Sequence, residues 1–213
     1  MARQSSPIDE AFHVNGFPLL EFDRRPFHNH LLTGFVLGWN AKLTLIQIVE
    51  DQQFRLNGYA IFRNSDVKRW RPVSKELFLA RAARIHKLRP ERPRAATLAS
   101  LKDVISSAGS VFPLLTIHRE YIKRGVCDVG KLVRVSQRVM TILSITPQAE
   151  WEEEESYLLK DITLLEFGGA YEKLLSRMSK KRPASAATSS HSSRPAAPRR
   201  SAAPRPGTPR SPR

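Results

Sequence analysis

Two stretches of this chain carry the same order of apolar and polar positions. Residues 31–49 are rich in Leu, Val, Ile, Phe and Trp, broken by a reversal at Trp39-Asn40-Ala41-Lys42, where Asn suits a turn. Residues 130–145 repeat that order: a glycine, an apolar run, a polar interruption and a second apolar run. Both regions read as paired strands. Before the first, residues 12–22 predict a short strand or an extended packing arm. After it, Asn57-Gly58 lies between Phe54–Leu56 and Tyr59–Phe62, the pattern of a hairpin or tight turn. Asn64-Ser65-Asp66 predicts another turn, followed by a strand at residues 67–70.

Two helices are predicted between the β regions. The first runs from Ser74, a capping residue, to about Leu88, with Leu77, Phe78, Ala82, Ile85 and Leu88 on one face and Pro90 and Pro93 behind it. The second runs from Thr97 to Ala108 on Leu98, Leu101, Val104, Ile105 and Ala108, with Gly109 as its stop. Residues 111–122 then return to strand. Landmarks recur at matched spacing: Gly34 and Gly130, Phe54 and Trp151, Asp66 and Asp161, and a helix after each, anchored by Phe78 and by Tyr171. That spacing predicts two copies of one β unit.

Four or five short strands with an accompanying helix must curl to bury an inner face. The expected fold is therefore α+β, mainly β, with two tandem small β-barrel units of the Sm/SH3-like type and connecting and terminal helices. The expected divisions are 1–94, the first unit with its N-terminal arm and the following basic helix; 95–178, a helix and the second unit; and 179–213. That last segment holds seven of the fifteen prolines with Ala, Ser and Arg, and no aromatic residue, so it is expected to be a disordered basic tail.

Charge changes this picture. The formal net charge is +15. Nine cations and no acid lie in residues 179–213, and ten cations against Glu76 and Glu91 lie in residues 67–94, so the remainder is close to neutral. The central basic segment supplies Lys68, Arg69, Trp70, Arg71, Lys75, Arg81, Arg84, Lys87 and Arg89, with Arg92 and Arg94 beyond. Cations that pair phosphates beside an aromatic that stacks on a base make these residues the candidate nucleic-acid-binding set. The plainer reading is a solvated cationic helix beside a linker.

Other chemistry is sparse. His28-Asn29-His30 places two imidazoles on one face of a strand, half a metal site without further ligands nearby. Surface-loop histidines are the simpler reading. Cys127 has Lys123 and Arg124 close by, which favours a thiolate, but alternation in residues 126–131 points to core packing. Glu152–Glu155 reads as a solvated acidic loop, suited to an electrostatic contact with a basic partner. No phosphate loop, nucleophile elbow, C-x-x-C pair or H-E-x-x-H helix is present, so no cofactor or metal is expected. A single cysteine, no apolar span of about 20 residues and no secretory leader make the cytoplasm the expected compartment.

The runs Ala149-Glu150-Trp151, Ser156-Tyr157-Leu158-Leu159-Lys160-Asp161-Ile162 and Phe167-Gly168-Gly169-Ala170-Tyr171-Glu172 resemble a widespread, uncharacterised bacterial family with two Sm/Hfq/SH3-like small β-barrel units. Phe54-Arg55-Leu56-Asn57-Gly58-Tyr59, Arg63-Asn64-Ser65-Asp66-Val67 and residues 112–120 look like the same family. The likeness covers roughly residues 15–178. It implies a small-barrel fold and brings no catalytic residue. The function expected is a non-enzymatic binding module contacting RNA or other nucleic acid through the basic helix and tail. The alternative is a protein-interaction or regulatory adaptor, with no membrane role and the oligomeric state left open.

Overall fold

Asn15 and Gly16 both take left-handed backbone, at φ 53° and 79°, and close a two-residue hairpin between β1 (His13–Val14) and β2 (Phe17–Asp23). This is the turn that Asn-Gly favours. The computed structural model describes residues 11–27, 30–50, 52–93 and 97–179. From β2 the chain continues through β3 (Leu32–Trp39), β4 (Leu43–Glu50) and β5 (Arg55–Arg63), a 3-10 turn at Asn64–Asp66, and β6 (Arg69–Pro72). Then come α1 (Phe78–Ile85), α2 (Leu101–Val111), β7 (Leu115–His118), β8 (Cys127–Val135), β9 (Val139–Ile145) and β10 (Trp151–Leu158). A second 3-10 turn, Leu159–Asp161, leads to β11 (Leu164–Phe167) and α3 (Ala170–Met178). Among the described residues, 43% lie in strands and 21% in helices, so that part of the chain is mainly β: one open antiparallel sheet with three α-helices.

The strand order is β1-β2-β3-β4-β5-β11-β7-β8-β9-β10, with β6 paired to the other side of β2. Read in two runs, β6-β2-β3-β4-β5 and β11-β7-β8-β9-β10 have the same connectivity. In each, a strand that follows a 3-10 turn pairs back on the first strand. The irregularities also coincide. The β3·β4 ladder slips between Val36 and Gly38, and the β8·β9 ladder between Leu132 and Arg134. The β4·β5 ladder slips between Leu56 and Tyr59, and the β9·β10 ladder between Trp151 and Glu154.

Side chains follow the same correspondence. Asn40 Oδ1 accepts from the N–H groups of Lys42 and Leu43, and Ser136 Oγ accepts from those of Arg138 and Val139. A Cβ on Gly34 would lie 2.6 Å from the Gln47 carbonyl oxygen, and one on Gly130 would lie 2.4 Å from that of Leu143. Glycine is needed at both places because the neighbouring strand is too close for any side chain. Arg24 lies over the Phe62 ring at 5.5 Å, and Arg119 over Tyr157 at 4.6 Å.

The two runs meet at one ladder. β5 pairs with β11 through Tyr59↔Phe167, Ala60↔Glu166, Ile61↔Leu165 and Phe62↔Leu164. The largest core cluster crosses this seam, with Leu37, Leu45 and Ile61 from one side and Leu115, Ile142 and Phe167 from the other. Val104, Ile105 and Ala108 of α2 pack against it. Near the seam, fully buried Arg24 donates to Glu120 Oε2 at 2.7 Å and to the Thr163 carbonyl at 3.1 Å.

Several expectations are corrected. Asn57-Gly58 is not a reversal: both residues lie inside β5 at the bulge, and the hairpin is made by Asn15-Gly16. Asn57 Oδ1 instead accepts the Ala170 N–H at the start of α3. Gly58, at φ 73°, comes so close to Gly169 that a Cβ would sit 2.5 Å from its nitrogen. A tertiary contact overrides the turn propensity there.

The first helix is shorter than residues 74–88, and its buried face is Ala80, Ala82 and Ala83 rather than the larger side chains. Alanines let the helix approach the cluster of Phe12, Leu19, Phe35, Val49 and Val73 closely, leaving Phe78 71% and Ile85 77% exposed. Phe78 touches the Phe54 ring edge-on but is otherwise exposed, and Tyr171 is half-exposed; buried Leu175 and Glu172 hold α3, Glu172 accepting a 2.7 Å bond from Thr116. α2 begins at Leu101, capped by Ser100, and runs through Gly109, which packs against Leu132 instead of ending the helix. Only Leu115–His118 of residues 111–122 is strand. Ala149, not Trp151, stands where Phe54 does: each lies two residues before the start of the bulge, at Trp151 and Leu56, and both have positive φ, 64° and 48°.

Two stability effects follow. Gly34→Ala or Gly130→Ala should cost about 1–3 kcal/mol in urea denaturation, because backbone rather than a flexible side chain is in the way. Glu120→Ala should cost about 3–5 kcal/mol by leaving a buried guanidinium unpaired. The double change Arg24→Met with Glu120→Leu should recover most of that loss.

Candidate nucleic-acid interface

β6 carries Pro72 with its nitrogen turned away from β2, as suits an outer strand, since Pro cannot donate to a further ladder. Its pairing with β2 presents Lys68, Arg69, Trp70 and Arg71 to solvent, all exposed. A cavity of about 540 Å³ opens beside it. Leu20, Phe22 and Val36 form its apolar floor, and Lys68, Arg69 and Trp70 one wall. Trp39, the last residue of β3, forms the opposite wall. The two indole rings are 59% (Trp39) and 43% (Trp70) exposed, which is far from the burial usual for such large apolar groups.

Sequence reading missed Trp39, taking it as part of the reversal. The available signal was a tryptophan directly before a polar turn. The rim beside it is fixed, since Thr44 Oγ1 donates to Asn64 Oδ1 at 2.7 Å and Asn64 Nδ2 donates to the Asn40 carbonyl at 2.8 Å.

A second cavity, about 530 Å³, lies across the same turn. Asn40, Leu43 and Ser65 line it, while their neighbours Trp39, Thr44 and Asn64 line the first. Lys42, Arg63, Lys102 and Lys160 converge there beside the capped N-terminus of α2, and among the described residues no carboxylate lines it. Arg63 is anchored by donating to the Leu159 carbonyl at 2.7 Å. None of these four cations was singled out by sequence, because they come from four separate segments.

The predicted basic set is therefore divided. Lys68, Arg69 and Trp70 share the groove. Arg71 turns to Glu21, with which it forms an ion pair. Lys75, Arg81, Arg84, Lys87 and Arg89 are exposed on or beside α1 and line neither cavity. Arg84 donates to the Lys75 carbonyl at 3.0 Å and lies over the Phe12 ring, so part of its surface is spent on packing. Asp23, near Lys68, is held far below the usual carboxylate range by hydrogen bonds from the Arg25 side chain and backbone. A depressed pKa means that this contribution to stability is full at neutral pH and is lost progressively as pH falls from the ordinary carboxylate range to the folded-state value.

The remaining candidates take other places. Glu152–Glu155 is not a loop but half of β10, since pairing with β9 extends the chain there. Cys127 is exposed at the start of β8 rather than packed in the core. His28 and Asn29 lie outside the described residues, and His30 is exposed. Residues 180–213, most of the expected tail, also lie outside them. Among the described residues, no cluster of three or more His, Cys, Asp or Glu forms a metal site, and no helix is long and apolar enough to cross a membrane.

No family model, curated protein or solved structure matches the chain.

Desolvation, with Glu166 and Asp128 nearby, raises the Cys127 thiol above its ordinary pKa. Although exposed, it should alkylate slowly at neutral pH, with a rate midpoint in iodoacetamide labelling above that of a free thiol.

Proposed function

We propose that this protein is a non-enzymatic binding module for single-stranded nucleic acid, built from two small β-barrel units of one kind. The observation that carries the binding reading is the groove walled by Trp39 and Trp70 with Lys68 and Arg69 on its rim. Two exposed indoles across an apolar floor suit unpaired bases, each stacked base being worth about 1–3 kcal/mol. The flanking cations suit the phosphates between them. The second cavity, with Lys42, Arg63, Lys102 and Lys160, extends the cationic path beyond the shared turn. Cations of α1 and the basic residues beyond 179 add attraction without sequence preference.

The two-unit reading, and with it a division near residue 94, is supported by the shared connectivity. The coinciding bulges, the Asn40 and Ser136 turns and the Gly34 and Gly130 contacts support it further.

Fluorescence anisotropy of a short labelled RNA or DNA against the full chain tests the binding. Affinity should fall by tenfold or more from about 50 to 200 mM salt. Trp39→Ala and Trp70→Ala should each weaken binding roughly 5- to 100-fold, the equivalent of one lost stack. Arg81→Ala should have a small effect. Since every variant retains the basic C-terminal segment, equal affinity in the tryptophan variants would end the groove reading.

The adaptor reading rests on one feature, the outward face of α1 with Leu77, Phe78 and Ile85 exposed. It would be favoured if a stoichiometric protein partner copurified after nuclease treatment and was lost in a Phe78→Ser, Ile85→Ser variant.

A further inference from the structure

The seam inside the chain has two unused halves. β5 pairs with β11, yet β10, which occupies the place of β5 in the second run, has no partner beyond β9 among the described residues. Likewise β6, which occupies the place of β11 in the first run, has no partner beyond β2. One end of the sheet is therefore half of a ladder whose other half is the opposite end. We infer that a second copy of this chain docks on the first by pairing its β6 with β10, repeating between molecules the ladder that β5 and β11 make within one. This rests on the two-unit reading above and is independent of nucleic-acid binding.

The register can be transposed residue by residue. Counting back from the 3-10 turns places Tyr157, Ser156, Glu155 and Glu154 where Phe62, Ile61, Ala60 and Tyr59 stand. Counting forward places Arg69, Trp70, Arg71 and Pro72 where Leu164, Leu165, Glu166 and Phe167 stand. The intermolecular pairs are then Arg69 with Tyr157, Trp70 with Ser156, Arg71 with Glu155 and Pro72 with Glu154.

Backbone direction agrees with that pairing. Val73 donates to the Leu19 carbonyl, so by alternation Arg71 and Arg69 turn their backbone groups to β2, and Trp70 and Pro72 turn theirs outward. Leu159 donates to the Arg138 carbonyl, so Tyr157 and Glu155 face β9, and Ser156 and Glu154 face outward. The outward residues of each strand are the ones the register brings opposite each other. Pro72 forfeits one donor and keeps its carbonyl for the Glu154 N–H.

Charge favours this occupant over others. β10 carries Glu152, Glu153, Glu154 and Glu155, all exposed, and the opposing edge carries Lys68, Arg69, Arg71 and Lys75; Arg71 pairs with Glu21 and Glu154 with Arg134 within one chain, so on docking those two share their partners. Glu152 occupies the place of Asn57, whose side chain accepts the Ala170 N–H in the internal seam; Lys75 occupies the place of Ala170. Each edge repels a copy of itself and attracts the other, so contact runs head to tail. The internal seam has apolar Leu164, Leu165, Ile61 and Phe62 where the outer edges are polar, so the outer contact is weaker and sensitive to salt. Glu153 stands in the place of Gly58, so the close Gly58–Gly169 approach is not reproduced. A contact of this heterologous kind propagates to a closed ring or a filament.

The test measures mass by sedimentation equilibrium on the full chain, free of nucleic acid, at low and moderate salt. At low salt, raising the concentration should give at least double the one-chain mass, and moderate salt should reduce it. Glu154→Lys with Glu155→Lys should leave one-chain mass, as should Arg69→Glu with Arg71→Glu, and combining all four changes should restore association. In a Cys127→Ser background, mixed Arg71→Cys and Glu155→Cys chains should form an intermolecular disulfide, while Ala60→Cys with Glu166→Cys in one chain should form an internal one. One-chain mass at every concentration, or association indifferent to both charge reversals, overturns the proposal. If the internal disulfide forms and the intermolecular one does not, the assembly alone is wrong. If neither forms, the two-unit reading falls with it.

Discussion

The joining of the two strand runs depends on one four-residue ladder, β5 against β11. It is short, but its side chains are Ile61, Phe62, Leu164 and Leu165, all buried, and the main core closes over it. Hydrogen bonds fix its register, and burial fixes which face points inward, since a slip by one residue would turn the apolar set to water. The Arg24–Glu120 pair near this seam adds little net stability, because desolvation offsets its attraction. Its value is specificity: any arrangement that separates the partners leaves a buried charge alone.

Much of this was legible in the sequence. The reversal at Asn40, the polar interruption within residues 130–145, the apolar face of α2 and the paired glycines Gly34 and Gly130 all express local chemistry, and the structure builds on them, with the interruption becoming the Ser136 turn. What failed was decided by distant contacts. Asn57-Gly58 carries the signature of a reversal, yet Gly169 and Ala170, more than a hundred residues away, use it as a docking point. The face of α1 was misassigned because three alanines pack closer than Phe78 and Ile85 would allow.

The groove was half visible. Lys68, Arg69 and Trp70 are contiguous, so their charge and aromaticity stand out, whereas Trp39 joins them only through the folding of β3 beside β2 and β6. The four cations of the second cavity come from four segments and leave no linear trace. The acidic run shows the reverse problem: its composition was plain, but its conformation was not. Four glutamates read as a solvated loop, and only pairing with β9 makes them a strand.

The ladder at the seam also bears on how the chain is made. Phe62 meets Leu164, about 100 residues later. During synthesis at about 5–20 residues per second, the edge of β5 therefore waits several seconds for its partner. Over that interval the outer edge of β5 is unpaired and Arg24 lacks Glu120, although Phe62 already packs on Phe22, Val36 and Ile46. An unpaired strand edge of this kind is open to pairing with another chain. The cations that follow it from Lys68 onward, emerging before any later strand, keep such half-made chains apart by mutual repulsion.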